Sequence, residues 1–357
     1  MFNFFNISKL KKKIPDFIGC LIIFISWLIL FRSWLIGNRF IPFDAMDQFY
    51  PCSKFIVESL KSGQLPFWNP YIFSGYPAIS DPQFHIFSWI FVTLLSIPEN
   101  LTVHWFNVVV VLHCLIGSVG LYFILRSYGL SPYSAIIGSL VFLCGGSAFG
   151  RMQHIGMILS YSYFPWAFLF LKKMLDTLHY RFAVLFGIFA GLMALHQNQV
   201  AFLFSWFLIA YLINRIITAR DHFNFLKTRI LPVLAGGFIA AIILLPQFYA
   251  TQLFLPYSNR PVISFETASA LALKPLAFLT LFAPNAYGNL VDIGKWCGPN
   301  DITVSYLYIG IIPASLLIYI GLFRGFICKK FQKFFLIMFF IYFLYAIGAY
   351  TPVYKII

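Results

Sequence analysis

Charged residues are scarce in this chain: they make up 10% of its 357 residues, whereas hydrophobic residues make up 61%. A soluble globular domain carries roughly 25% charged residues, so this composition excludes that class and indicates a multi-pass membrane protein. Acidic residues are rarest, with 11 Asp and Glu against 25 Lys and Arg, for a formal net charge of +14. Most of the basic residues lie beside apolar runs, which favours positive-inside topology over binding of nucleic acid.

Other motifs that the sequence lacks exclude further classes of function. The six cysteines include no C-x-x-C pair and have no accompanying histidine pair, so the usual zinc patterns are missing. Whether Cys52 and Cys297 form a disulfide is left open. No glycine-rich loop for the phosphates of ATP is present. The first apolar run is too long for the core of a signal peptide and lacks a small-residue cleavage site, so we interpret it as an uncleaved span.

Nine apolar runs are candidates for membrane-spanning helices, which need about 20 mostly apolar residues. They are residues 17–36, 105–125, 133–149, 156–172, 181–195, 200–217, 231–250, 302–323 and 332–349. The pattern predicts an all-α integral membrane protein, with residues 1–357 forming one transmembrane domain.

Basic residues predict the orientation of these spans. Sixteen of the 25 Lys and Arg, but only three of the 11 Asp and Glu, fall on the side predicted to be cytoplasmic together with the N-terminus. The apolar run 84–98 cannot cross under this topology, so we interpret it as a juxtamembrane segment. Two large extracytoplasmic segments result, residues 37–104 and 251–301.

A short helix is predicted in the first extracytoplasmic segment, within "PCSKFIVESLKSG". Proline suits the first helical position and glycine suits the end of a helix. The predicted apolar stripe, which would lie on the membrane, consists of Cys52, Phe55, Ile56 and Leu60.

Polar side chains from separate segments collect on the predicted outer side, where charged groups near lipid are functional candidates. They include Asp44, Asp47, Asp81, Gln83, Gln153, His154, His196, Gln197, Asn198, Gln199, Gln247, Gln252 and Arg260, and the aromatic Trp68 lies on the same side. Each has an ordinary alternative as a helix cap, a turn residue or an interfacial aromatic. Their convergence on one side favours function for some of them.

These residue types suit the transfer of a sugar from a lipid-linked phosphate. Aromatic rings stack on sugars, and amides and histidines hydrogen-bond hydroxyl groups. Arginine binds phosphate in a forked geometry. A carboxylate can accept the proton of an attacking hydroxyl group.

Several stretches, in order, resemble the YfhO family of bacterial membrane proteins, which is similar to the GT-C class of polyprenyl-phosphate-sugar glycosyltransferases. They cover most of residues 40–315, and the Leu-Pro-x-Trp-Asn-Pro core at 65–70 is the most specific. The stretches are "FDAMDQFYP", "GQLPFWNPYIFSGYPAISDPQ", "GSLVFLCGGSAFGRMQHI", "YFPWAFLFL", "HQNQVA", "LLPQFYATQLFLPYSNRP", "LTLFAPNAYGN" and "YLYIGIIP".

The resemblance implies a GT-C-like bundle of about nine transmembrane helices in the bacterial cytoplasmic membrane. It implies an inverting enzyme in which Asp44 deprotonates the acceptor, with Asp47 or Asp81 as a second carboxylate or metal ligand. Arg260 is expected to bind the donor phosphate. Trp68, Asn69, Gln83, His154, His196 and Gln199 are expected to bind the polyprenyl-phosphate-linked sugar or the cell-envelope glycan acceptor. A divalent ion, Mg²⁺ or Mn²⁺, is left open.

One departure from the family is the C-terminus. Family members continue with further spans and an external portion, whereas this chain stops at "GAYTPVYKII". An inactive, shortened scaffold is therefore one alternative to an enzyme, and a transporter or flippase of lipid-linked glycans is another.

Overall fold

The computed structural model describes residues 16–258, 264–270, 272–288, 295–299, 302–320, 322 and 330–355. Over these residues the chain is helical, and extended backbone pairs only in two isolated bridges, Asn69 with Tyr76 and Ala286 with Gly288. The prediction of an all-α protein is confirmed.

The α-helices of the described residues are numbered α1 to α15 in chain order. They are α1 Asp16–Leu30, α2 Arg32–Leu35, α3 Tyr50–Lys61, α4 Trp89–Leu95, α5 Val103–Ser127, α6 Pro132–Leu143, α7 Gly146–Gly150, α8 Ile155–Thr177, α9 Tyr180–Ala194, α10 Gln199–Ile217, α11 His222–Phe254, α12 Phe265–Ser269, α13 Ile302–Ser305, α14 Ile311–Tyr319 and α15 Lys330–Ala346.

Four helical stretches in the described part of the chain are long and apolar enough to cross a membrane: Val103–Ser127, Pro132–Gly150, Gln199–Ile217 and His222–Tyr257. Asp16–Leu30, Tyr180–Ala194 and Gln332–Ala346 are apolar but shorter. These helices indicate a protein embedded in a membrane, as the composition predicts.

Two predicted elements differ in detail from the structure. The run 302–323 is interrupted: α13 ends at Ser305 and α14 begins at Ile311, after Gly310 with φ of 99°. In α3 the apolar stripe that was predicted to lie on the membrane is wrong at Cys52 and Ile56, which are 8% and 1% exposed and pack in one cluster with Phe84 within the protein. The segment 84–98 contains only the seven-residue α4, which is far shorter than the about 20 residues of a span.

Helix α8 lies at the centre of the bundle, where it packs on α5, α9 and α10. The indole Nε1 of Trp166 donates to the Ile116 carbonyl on α5 at 2.9 Å, and His113 Nε2 lies 3.0 Å from the Tyr163 hydroxyl. Helices α5 and α8 run in the same direction, since residues further along one helix contact residues further along the other.

Glycine allows α9 and α11 to approach closely. A Cβ on Gly187 would lie 2.5 Å from the carbonyl oxygen of Gly236, and one on Gly191 would lie 2.8 Å from Ile243 Cβ. Such small residues let helix backbones pack together in a bilayer, where van der Waals contact drives association.

The bundle has two chemically different ends. At the arginine end, Arg126 pairs with Asp16 at 2.7 Å and Arg215 pairs with Asp176 at 2.8 Å. At the Asp44 end lie Asp44, the starts of α8 and α10, and the C-terminal part of α11. Helix α8, with 23 residues, extends from the Asp44 end to the arginine end, a distance of about 35 Å at 1.5 Å per residue.

Candidate functional site

Asp44 lies at the start of a single π-helical turn, Ala45–Phe49, that continues directly into α3. The residue before it, Phe43, has φ of 61°, and its carbonyl oxygen accepts hydrogen bonds from the amides of Met46 and Asp47. The Asp44 side chain is 50% exposed. The turn therefore presents a carboxylate at the surface of the bundle while its backbone stays anchored.

The Asp44 carboxylate pairs with a histidine from a distant part of the chain. Its Oδ2 lies 3.3 Å from Nδ1 of His154, the residue immediately before α8. The His154 side chain is 25% exposed. Two residues expected to act separately thus form one carboxylate–imidazole pair.

A second pair of histidines is buried next to this first pair. The rings of His85 and His196 are 5.2 Å apart, and the Phe49 ring is 5.5 Å from His85. Gly156, two residues after His154, lies against both buried histidines. A Cβ at this position would lie 3.1 Å from His85 Nε2 and 3.4 Å from His196 Cβ. A larger residue at this position would push the His85 ring from its present position by a few tenths of an ångström.

The ring nitrogens of the buried histidines are a further feature of the site. Among the described residues, no hydrogen bond reaches His85 Nε2 or either ring nitrogen of His196. Burial lowers the pKa of His85 to about 3. Burial, together with His85 and His113, lowers the pKa of His196 well below its usual range. Because buried polar atoms are nearly always hydrogen-bonded by protein or ordered water, these neutral rings call for such a partner.

Backbone strain collects at the same place. Phe43, His85 and Gln197, each beside or within the two pairs, have positive φ of 61°, 58° and 44°. Non-glycine residues adopt this conformation at a cost of order 1–3 kcal/mol, and such residues cluster at functional sites.

The loop 65–83 is folded onto the bundle. Gln247 of α11 is 1% exposed, and its Nε2 donates to the Ile79 carbonyl at 3.1 Å. The Thr251 hydroxyl donates to the Ser80 carbonyl at 2.9 Å. These two hydrogen bonds fasten the loop to the end of α11.

Two predicted site residues have structural roles within this loop. Asn69 is 3% exposed and accepts a hydrogen bond from the Tyr71 amide through Oδ1. Asp81 caps the short helical turn Pro82–Phe84, accepting from the Gln83 amide at 2.9 Å, and also accepts from the Tyr76 hydroxyl at 3.2 Å. Their predicted contacts with substrate or metal stay predictions.

The remaining predicted residues have different environments. The Gln83 Oε1 accepts from Gln48, in the turn that follows Asp44, at 2.6 Å. Asp47 is exposed in that turn, and Gln199 is exposed at the first position of α10.

Trp68 is 58% exposed, and its indole ring covers Gly75. Arg260 lies outside the described residues.

Sequence reasoning missed His85, whose burial against His196 is a tertiary contact. The only local signal is its position directly after the polar end of the aromatic loop. Cys52 and Cys297, whose pairing was left open, are both free thiols.

A metal site is not built among the described side chains, since no group of three or more His, Cys, Asp or Glu is placed to hold an ion. The expectation of Mg²⁺ or Mn²⁺ stays a prediction. The groups assembled at the Asp44 end can accept a proton, hydrogen-bond hydroxyl groups and stack on apolar faces.

Comparison with known proteins adds no relative. No family model, no curated protein and no solved structure matches this chain. Inference about function therefore rests on the residues and geometry described above.

Proposed function

We propose that this chain is a GT-C-like membrane glycosyltransferase of the YfhO family, with about nine spans and its N-terminus in the cytoplasm. It would transfer a sugar from a polyprenyl-phosphate donor to a cell-envelope glycan at the outer face of the bacterial cytoplasmic membrane. The observation that carries this proposal is the half-exposed Asp44 carboxylate held 3.3 Å from His154. The family motifs around both residues support it.

In the proposed reaction Asp44 takes the proton from a hydroxyl group of the acceptor. The acceptor oxygen attacks the anomeric carbon and forms the new glycosidic bond, while the bond from that carbon to the phosphate oxygen breaks. The phosphate leaves with the electron pair, and attack from the opposite side inverts the anomeric centre. General-base catalysis of this kind contributes about 10²–10⁴-fold.

The surroundings of Asp44 suit this role. Its carboxylate is half-exposed, so it can meet an acceptor and later release the proton. His154 orients the carboxylate and can exchange the proton with it. Trp68 offers an exposed indole for stacking on a sugar face, at the same end of the bundle.

A flippase of lipid-linked glycans is the second candidate, because polar side chains extend into the bundle. His113, in the middle of α5, is fully buried and meets the Tyr163 hydroxyl at 3.0 Å. Buried polar groups within a membrane bundle are typical of substrate or proton pathways. These residues continue inward from the His85–His196 pair through Phe91, whose ring is 5.7 Å from both His85 and His113.

The test uses the full chain in nanodiscs with radiolabelled polyprenyl-phosphate sugars. Wild type is compared with Asp44→Asn, and Glu58→Gln is the matched control. Glu58 is exposed on α3 in the same segment, and its change removes the same charge. We expect Asp44→Asn to retain donor binding but lose at least about 100-fold in transfer, and Glu58→Gln to retain both.

Other outcomes contradict the proposal in distinguishable ways. Full transfer by Asp44→Asn would remove Asp44 as the base. Absence of donor binding by wild type would remove the glycosyltransferase function. Binding without transfer in all variants would favour the flippase, which liposomes then test directly through the exposure of labelled lipid on the opposite leaflet.

A further inference from the structure

A basic cavity lies at the arginine end, opposite the Asp44–His154 pair. It has a volume of about 340 Å³ and is formed where α10 ends and α11 begins. Its lining consists of Arg215, Thr218, Ala219, Arg220, Asp221, Asn224, Phe225 and Arg229. Three arginines from two helices and their connecting turn therefore face one space.

The protein holds two of these guanidinium groups in place. Arg215 pairs with Asp176 at 2.8 Å and donates to the Tyr211 hydroxyl at 3.1 Å. The Nε of Arg229 donates to the Leu175 carbonyl at 2.8 Å. Fixed guanidinium groups lose less entropy when they bind an anion than free surface side chains do.

An aromatic ring sets the spacing of the same two arginines. The guanidinium carbon of Arg229 lies 4.2 Å from the centroid of the Phe225 ring, and that of Arg215 lies 6.0 Å from it. Both distances are within the range of cation–π contact. Phe225 thus brings two like charges close together without neutralising either.

The charges around the cavity do not balance. Asp176 is shared between Arg215 and Lys172, whose Nζ lies 2.7 Å from it. Asp221 lines the cavity, but its Oδ1 accepts the Asn224 amide as the cap of α11. Arg220 is exposed and has no ion-pair partner among the described residues. With the flanking Lys172 and Asp176 included, four cations accompany two carboxylates, which leaves a surplus of positive charge for an incoming anion.

We propose that this cavity binds a phosphate group, by forked hydrogen bonds from Arg220 and Arg229 and by charge attraction from Arg215. Arginine suits phosphate because its planar donors match two oxygens at once. The setting favours a lipid headgroup as the source: Ile217 and Phe223, beside the cavity, are 66% and 78% exposed, as lipid-facing residues are. Basic pockets between membrane helices on the cytoplasmic side bind anionic headgroups in this manner.

The test measures lipid retention by the full chain. The chain is placed in phosphatidylcholine nanodiscs containing a small fraction of spin-labelled lipid, either phosphatidylglycerol or phosphatidylcholine. The immobilised fraction of each is read by electron spin resonance. A second arm adds inorganic phosphate to neutral nanodiscs and follows the melting temperature, which separates free phosphate from a headgroup.

Four variants make the result specific. Arg220→Gln and the double change Arg220→Gln with Arg229→Gln should weaken binding of phosphatidylglycerol by about fivefold for each arginine removed. Arg181→Gln is the control, because Arg181 is exposed at the same end, at the start of α9, and does not line the cavity. Asp221→Asn should strengthen binding, since asparagine caps a helix as well as aspartate but carries no charge.

Each result decides the proposal. Selective retention of phosphatidylglycerol that falls in the arginine variants supports a headgroup site. A rise in melting temperature with inorganic phosphate, lost in the same variants without lipid selectivity, supports a site for free phosphate. Equal retention of both lipids with no effect of phosphate would overturn the proposal of a phosphate-binding cavity. A loss of phosphatidylglycerol binding in Arg181→Gln as large as that in Arg220→Gln would overturn it too. Because donor transfer at Asp44 is not measured here, failure leaves the proposed enzyme untouched.

Discussion

Removal of the Gln247 amide should loosen the attachment of the loop 65–83 to the bundle. In Gln247→Met the side chain keeps a similar volume but becomes apolar, so packing within the end of α11 changes little while the hydrogen-bond donor is lost. The Ile79 carbonyl loses the donor that now lies 3.1 Å away. Thr251 keeps its own hydrogen bond to the Ser80 carbonyl, so half of the attachment remains.

The magnitude follows from the burial of this contact. Gln247 is 1% exposed, so water cannot replace the lost donor without local opening. An unsatisfied buried carbonyl costs about 1–3 kcal/mol. Opening of the loop should therefore become about 5- to 150-fold more frequent, because 1.4 kcal/mol corresponds to a factor of ten.

Hydrogen exchange with mass spectrometry, on the chain in nanodiscs, measures this change. Faster exchange is expected in the peptides containing the amides of Asn69, Tyr76 and Ile79, which bond within the loop. Peptides from α5 should be unaffected. Gln252→Met is the matched control, since Gln252 is exposed on α11 five residues further along. Unchanged loop exchange in Gln247→Met, or equal acceleration in both variants, would refute the reasoning.

Three further predictions concern packing, pH and thiol chemistry. Gly187→Ala should lower the melting temperature, because its Cβ would lie 2.5 Å from a backbone oxygen of α11, and overpacking costs about 1–3 kcal/mol. Acidification should destabilise the fold through His85 and His196, whose pKa values are lowered by burial, by up to about 1.4 kcal/mol per pH unit for each. Cys52 should resist maleimide until the chain unfolds, because burial, with a smaller effect of Asp81, raises the pKa of its thiol to about 12.

Controls and contrary outcomes exist for each. A Cβ on Gly237 would meet open space, so Gly237→Ala should not lower the melting temperature. An equal decrease of the melting temperature in both alanine variants would contradict the packing argument. Unfolded histidine has a pKa near 6.5, so the unfolded state binds more protons, and stability falls as pH drops below about 6.5, continuing towards pH 3 for His85. Melting temperatures in His85→Asn should therefore depend less on pH, and an unchanged dependence would be inconsistent with this cause. Labelling of Cys52 as fast as the exposed Cys297 would contradict the third prediction.

The class of the protein was predictable because membrane helices are a local property. Each apolar run has to satisfy its own backbone hydrogen bonds in lipid, so composition and run length suffice to predict helices. Helix α3 was predictable for a similar reason, since Pro51 and Gly63 mark its two limits. The surroundings of its apolar stripe were predicted less well, because Cys52 and Ile56 are buried against protein neighbours that the sequence does not identify, and do not lie on the membrane.

The site was predictable only as a set of residues. Asp44 and His154 were expected on one side of the membrane, but their contact depends on how the turn after α2 meets the start of α8. From the sequence, Asp81 and Asn69 are equally good candidates for binding substrate. In the structure, short-range hydrogen bonds within the loop occupy both side chains. A local polar pattern does not distinguish a side chain that caps a turn from one that faces a substrate.

The sequence by itself determined that the chain is helical, embedded in a membrane and polar at defined points along its length. Only the tertiary structure decided which of these points meet: Asp44 with His154, His85 with His196, Gln247 with the loop, and three arginines around one cavity. The physical reason is that helix formation depends on neighbours a few residues away. These meetings depend instead on close packing between helices, which small residues such as Gly156 and Gly187 permit.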